Sequence, residues 1–148
     1  MKTSTFEASQ TVPFPRDRVF SFFSDARNLE RLTPPVLRFR VLTPEPIEMK
    51  AGTIIDYRLR LRGLPLRWRS EITVWEPPHR FADVQRRGPY RKWEHTHAFR
   101  EVPGGTVIED RVEYAVPGGR LVDRLFVRPD VERIFAYRQD AIERLLAD

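Results

Sequence analysis

The chain has 148 residues, with 26 Lys plus Arg against 21 Asp plus Glu, a formal charge of +5 and no cysteine. That length suits one domain, residues 1–148, around a single core. Zero cysteine excludes a disulfide scaffold, a Cys-ligated zinc, an iron–sulfur cluster and a thiol nucleophile. Charges recur every few residues, so no apolar run approaches the ~20 residues of a membrane span. Met1–Lys2 opens a polar alternating segment rather than a signal peptide, and the expected location is the cytoplasm. The nearly balancing acids favour an arginine-coded surface over a dedicated anionic partner.

Thr3–Val12 is extended and rich in Thr and Ser, which predicts a strand. Pro15 falls where a first helical turn tolerates proline, and Val19, Phe20, Phe22 and Phe23 predict a short apolar helix ending near Ser24–Asp25. A second short helix over Ala26–Leu32 stops at Thr33-Pro34-Pro35. Val36–Leu42 reads as a strand. Thr53–Arg62 alternates cleanly, with Ile55, Tyr57, Leu59 and Leu61 on one face and Asp56, Arg58, Arg60 and Arg62 on the other. Gly63-Leu64 predicts a type II′ hairpin into Leu66–Trp75, whose Leu66, Trp68, Ser70, Ile72 and Val74 share a face. Further hairpins follow: Arg80–Gln85, a turn at Gly88-Pro89, Tyr90–Val102, a turn at Pro103-Gly104-Gly105, and Thr106–Val116.

The last third changes period. Leu121, Val122, Leu125 and Phe126 have helical spacing, and Pro129 kinks or restarts the helix. Val131, Ile134, Phe135, Arg138, Ile142 and Leu145 then lie on one face of a final helix. The curved sheet is the partner available to bury that face.

Strand, two short helices, six antiparallel strands and a long helix resemble the helix-grip fold of the START and birch-pollen-allergen superfamily, which includes the polyketide cyclases. Local pieces sharpen the resemblance. Pro15-Arg16-Asp17-Arg18-Val19-Phe20 followed by Asp25-Ala26-Arg27-Asn28-Leu29 is similar to that superfamily's opening. Trp75-Glu76-Pro77-Pro78-His79-Arg80-Phe81, Gly88-Pro89-Tyr90 with Trp93-Glu94-His95-Thr96-His97, Asp110–Tyr114 and Ile134–Arg138 resemble a bacterial ligand-binding branch. The resemblance implies an α+β fold, a sheet of about seven strands wrapped around a long C-terminal helix. It also implies a cavity between them for a hydrophobic small molecule.

Strand parity names the residues that would line such a cavity. The first hairpin supplies Tyr57, Leu59, Trp68 and Ser70, and the next supplies Phe81 and Asp83 facing Trp93, His95, His97 and Phe99. A three-residue connection sets Asp83 opposite His95 and Phe81 opposite His97. The Pro103-Gly104-Gly105 turn brings either Asp110 or Val112 opposite His97, depending on its length, and Tyr114 shares that face. Phe135 and Arg138 complete the set from the helix, with Arg138 expected to pair with an inward Asp.

Two histidines at i and i+2 beside Asp83, Asp110 and Tyr114 form the one chemistry-grade cluster. It reads first as a buried polar network that orients a ligand. The alternative is general acid/base catalysis of an aromatase/cyclase or dehydratase type, carried by His95, His97, Asp83 and Asp110. The spacing fixes no third metal ligand, and neither metal nor cofactor is expected. His79 reads as a solvent-facing loop residue. A lesser alternative is an anionic-surface or nucleic-acid binder using Arg58, Arg60, Arg62, Arg67, Arg69, Arg86, Arg87 and Arg91. That face lacks the aromatic platform of single-strand binders, and no nucleic-acid partner is expected. Nothing in the pattern specifies an oligomeric state. The charge belongs to the outside of the sheet, and the 11% aromatic fraction to its inside.

Overall fold

The computed structural model of the protein describes residues 2–148; Met1, on which the reading against a signal peptide partly rests, lies outside them. Strand β1 (Ser4–Val12) leads into helices α1 (Arg16–Phe23) and α2 (Asn28–Leu32) and a 3-10 turn, Pro35–Leu37. Six strands follow: β2 (Arg40–Val41), β3 (Ile54–Leu61), β4 (Leu64–Glu76), β5 (Arg80–Arg87), β6 (Lys92–Val102) and β7 (Gly105–Ala115). The chain ends in α3 (Gly119–Val122), a π-helical turn (Asp123–Val127) and the 20-residue α4 (Arg128–Ala147). All seven strands form one antiparallel sheet in the order β1-β7-β6-β5-β4-β3-β2. This is the curved, helix-grip arrangement expected. Among the described residues, no helix is long and apolar enough to cross a membrane.

The core divides into three clusters that the period-2 and period-3.6 patterns build together. Val19, Phe20 and Phe23 of α1 meet Phe81, Phe99, Ile108 and the last turns of α4 (Ala141, Ile142, Leu146). Phe6, Val112 and Tyr114 of the β1–β7 edge meet Val131 and Phe135 from the first half of α4. Ile55, Tyr57 and Ile72 meet Ala26 and the irregular segment that carries Phe39, Val41 and Ile47. Pro129 stands in the first turn of α4, where its missing N–H costs nothing, so it restarts the helix after the π turn.

Three local expectations are corrected. Val36–Leu42 is a 3-10 turn and a two-residue strand, because Pro34-Pro35 opens a tight turn that Arg38 closes in the left-handed region (φ 47°). The β3–β4 hairpin turns on Arg62-Gly63, both at positive φ (50° and 81°), which makes it type I′ rather than II′. Between Ile72 and Val74 the pairing of β4 with β5 slips by a residue, so a bulge reverses parity at the strand's end. Trp75, expected outside, therefore turns inward against Phe20 and Phe81, with ring centroids 5.1 and 5.5 Å away.

The outer face of the first hairpin is arginine-rich as expected, and Arg58 stands directly opposite Arg67. Arg69 and Arg86 are ion-paired there to Asp56 and Glu71 (2.8 and 3.0 Å), while Arg62 reaches around the hairpin tip to Asp130. His79 is exposed in its turn, as expected, with Nδ1 3.4 Å from an Arg16 guanidinium nitrogen.

Phe20 is the hinge of the first cluster, packed among Trp75, Phe81 and Phe99. Truncation to alanine leaves a cavity that α1 is too short to collapse into. Phe20→Ala is expected to lower unfolding free energy by about 3–5 kcal/mol in urea denaturation.

Candidate functional site

Where the second and third clusters face one another, the inner sheet and α4 line a partly open cavity of about 180 Å³. This is smaller than the several hundred Å³ usual for such sites. Its walls mix aromatic and aliphatic side chains; the aromatic part is Tyr57, Trp68, Trp93 and Phe135, with Phe39 and Tyr90. Leu59 and Leu61 of β3, Val131 and Ile134 of α4, and Leu29, Leu32 and Leu37 complete the apolar part. Trp68 and Trp93 meet edge to face at 5.4 Å, and Tyr90 packs 4.8 Å from Trp93. Ser70 accepts a hydrogen bond from the Trp68 indole at 3.0 Å.

Asp83, His95, His97 and Arg138 form the polar end of this cavity. The β5–β6 register sets Asp83 opposite His95 and Phe81 opposite His97, as parity predicts. The β6–β7 turn has two residues between Val102 and Gly105, which puts Asp110 rather than Val112 opposite His97. The hydrogen bonds then run on the diagonals. His97 Nε2 lies 2.9 Å from Asp83, and His95 Nε2 lies 2.8 Å from Asp110. The diagonal pairing stacks the two imidazoles 3.6 Å apart, and Phe81 stacks on His97 at 4.1 Å.

Arg138 closes the cluster from α4. A guanidinium nitrogen lies 3.3 Å from Asp110 Oδ1 and 3.3 Å from His97 Nδ1. Its faces are covered by Phe23 and Phe135, with the guanidinium carbon 5.3 and 5.4 Å from the ring centroids. Arginine has only donors, so His97 Nδ1 accepts from it and the ring proton sits on Nε2, donating to Asp83. His95 likewise donates through Nε2 to Asp110. Burial pushes the His95 pKa down to about 4, with His97 adding to the effect against the Asp110 hydrogen bond, so His95 is neutral at pH 7. Burial on its own raises a carboxyl pKa. For Asp110 the Arg138 charge and the His95 hydrogen bond outweigh it and hold the group well below the usual range. For Asp83 the His97 hydrogen bond and the His97 charge interaction outweigh burial and lower the pKa.

Asp83, with 22% of its side chain exposed against 6% for Asp110, is the carboxylate that faces the cavity. Oδ2 takes the His97 proton; Oδ1 has no hydrogen-bond partner among the described residues. Burial raises the Tyr57 phenol above its ordinary range, and the negative Asp83 raises it further. Asp83, His95 and His97 bring potential metal ligands within 4.8 Å of one another. Both nitrogens of His97 are already engaged, so a cation there would break the Asp83 bond and sit beside a guanidinium.

Of the residues anticipated, Tyr57, Leu59, Trp68, Ser70, Asp83, Trp93, His95, His97, Phe135 and Arg138 line the cavity. Phe81 and Phe99 sit behind it in the α1 cluster. Asp110 lies behind the histidines. Tyr114 is buried in the second cluster, and its hydroxyl donates to Asp123 at 2.8 Å, tying β7 to the π turn. Phe39 and Leu37 were not anticipated, because the irregular backbone after Pro35 carries no period. The Gly88-Pro89 turn was the one available signal for Tyr90.

The family model described as "Polyketide cyclase / dehydrase and lipid transport" matches residues 3–147. The chain belongs to this family. Solved structures share its fold across nearly the whole chain. Ara h 8.0201 is 19% identical, with 99% of each chain covered and a TM-score of 0.71. The Zhui aromatase/cyclase from Streptomyces sp. R1128 is 15% identical, with 99% of this chain and 94% of that chain covered and a TM-score of 0.78. A nucleoside-diphosphate sugar epimerase from Corynebacterium glutamicum is 25% identical over 94% of this chain, which corresponds to 28% of that chain, with a TM-score of 0.68. No curated protein matches. In this family member, the inward histidines and Asp83 form the polar end of the cavity.

The depressed His95 pKa has a signed consequence. Between about pH 6.5 and pH 4 the unfolded chain binds a proton at this histidine that the folded chain does not. Stability therefore falls as pH drops through that window, at up to about 1.4 kcal/mol per pH unit from this one group. In denaturation series from pH 7 to pH 4, His95→Gln is expected to flatten the slope relative to the parent.

Proposed function

We propose that the chain binds a hydrophobic small molecule of lipid, polyketide or isoprenoid type in the cavity between the sheet and α4. The observation that carries this reading is the convergence of aromatic and aliphatic walls from both core clusters on one buried polar end. Apolar pockets with a few convergent polar groups are the common form of small-molecule site. Family membership supports the same class of ligand.

A second reading, acid/base chemistry of the cyclase or dehydratase type, is favoured by the two imidazole–carboxylate pairs at hydrogen-bond distance. Neutral His95 has the protonation state of a general base at pH 7. The family description and the fold shared with an aromatase/cyclase are consistent with it. The outer arginines are a weaker basis for function, since Arg62, Arg69 and Arg86 have carboxylate partners.

Ile134 is half-buried at the cavity wall and lies outside the fully buried core. Filling the cavity there separates binding from folding. Ile134→Trp is expected to weaken binding of an apolar fluorescent dye by at least about tenfold, or ~1.4 kcal/mol, while the melting temperature stays within a few degrees. Unchanged dye affinity in the folded variant would contradict the cavity as the binding site.

A further inference from the structure

Resting on the cavity-binding reading, we infer that the ligand presents a neutral hydrogen-bond donor, a hydroxyl on an aromatic ring, to Asp83, and that carboxylate-headed molecules are rejected. Three observations lead there.

The first is the allocation of charge. Arg138 is the cation that would greet a carboxylate, but its guanidinium is held by Asp110 and His97 Nδ1 and enclosed by the faces of Phe23 and Phe135. Its Nε is buried without a partner among the described residues, shielded from the cavity as well. Asp83 is the group left facing inward, and its Oδ1 is free to accept. A carboxylate placed there would be buried against the ionised Asp83, with Arg138 already engaged by Asp110 and His97. A hydroxyl donor instead supplies the hydrogen bond that Oδ1 lacks, and a charge-assisted one.

The second is the wall. Trp68, Trp93, Tyr90 and Tyr57 offer faces and edges near the polar end, a surface suited to a flat ring more than to a mobile acyl chain. The third is size. An apolar cavity of about 150 Å³ holds one benzene molecule. A cavity of about 180 Å³ therefore takes one substituted ring at the polar end. Any longer substituent must extend away from the polar end along the apolar lining, which includes Leu59, Leu61, Val131 and Ile134.

The test uses three molecules of one shape: 4-propylphenol, 4-propylbenzoate and propylbenzene. Their binding to the intact protein at pH 7 is measured by isothermal titration calorimetry, with tryptophan fluorescence as a second readout. The phenol is expected to bind on the order of tenfold more tightly than propylbenzene, and the benzoate more weakly than propylbenzene. In Asp83→Asn, folded by its melting curve, the phenol should lose on the order of tenfold while propylbenzene is unchanged and the benzoate gains. Equal affinities for phenol and propylbenzene would overturn the proposed head-group contact and leave hydrophobic binding intact. A benzoate bound as tightly as the phenol would overturn the charge argument, which needs no variant. If propylbenzene also fails to bind, the cavity reading itself falls, and the inference with it.

Discussion

The ion pair between Arg138 and Asp110 is the constraint on which the rest of the structure depends. It joins the middle of the C-terminal helix to the middle of strand β7, next to the sheet's β1 edge, through atoms that are almost wholly out of water. Each group alone would be costly to bury; together, with two imidazoles supplying and accepting the remaining hydrogen bonds, they are compensated. The helix is thereby fixed in rotation as well as position. Phe135 and Val131 face the β1–β7 edge one turn to one side, and Ala141, Ile142 and Leu146 face the α1 cluster on the other. The space left between helix and sheet is the cavity, so its shape follows from where this pair holds the helix.

The same pair decides the character of the polar end. By absorbing the guanidinium, Asp110 removes the cation from the cavity's chemistry and leaves Asp83 as its charged representative. His97 is the connection between the two carboxylates: Nδ1 accepts from Arg138 and Nε2 donates to Asp83. His95, held neutral by burial, stacks on it and donates to Asp110. A ligand that alters Asp83 therefore acts on a chain of hydrogen bonds ending on the helix. This gives binding and helix position a common physical basis, and it is also the arrangement that acid/base chemistry would use.

Most of the fold was legible because its two periods are clean. Ile55, Tyr57, Leu59 and Leu61 against Asp56, Arg58 and Arg60 define a two-faced strand without ambiguity. Val131, Phe135, Arg138 and Ile142 define one helix face. The cluster at His95 and His97 followed from parity and turn length. The choice between Asp110 and Val112 rested on whether the last hairpin loop has two residues or four, which only backbone geometry decides. Illegibility begins where period is lost. The bulge at the end of β4 shifts parity with no marking residue, which hid the inward turn of Trp75. The segment after Pro34-Pro35 has no repeat at all, which hid Phe39 and Leu37 as cavity wall. Diagonal rather than direct pairing of the histidines with their carboxylates depends on side-chain rotamers, a level below what strand register specifies.

The most direct measurement of the account is a crystal structure of the protein with 4-propylphenol bound. The account predicts the ring among Trp68, Trp93 and Tyr57, its hydroxyl within hydrogen-bond reach of Asp83, and Arg138 still paired with Asp110. A ring bound outside the cavity, or a hydroxyl pointing to its mouth while Asp83 stays unpaired, would contradict it.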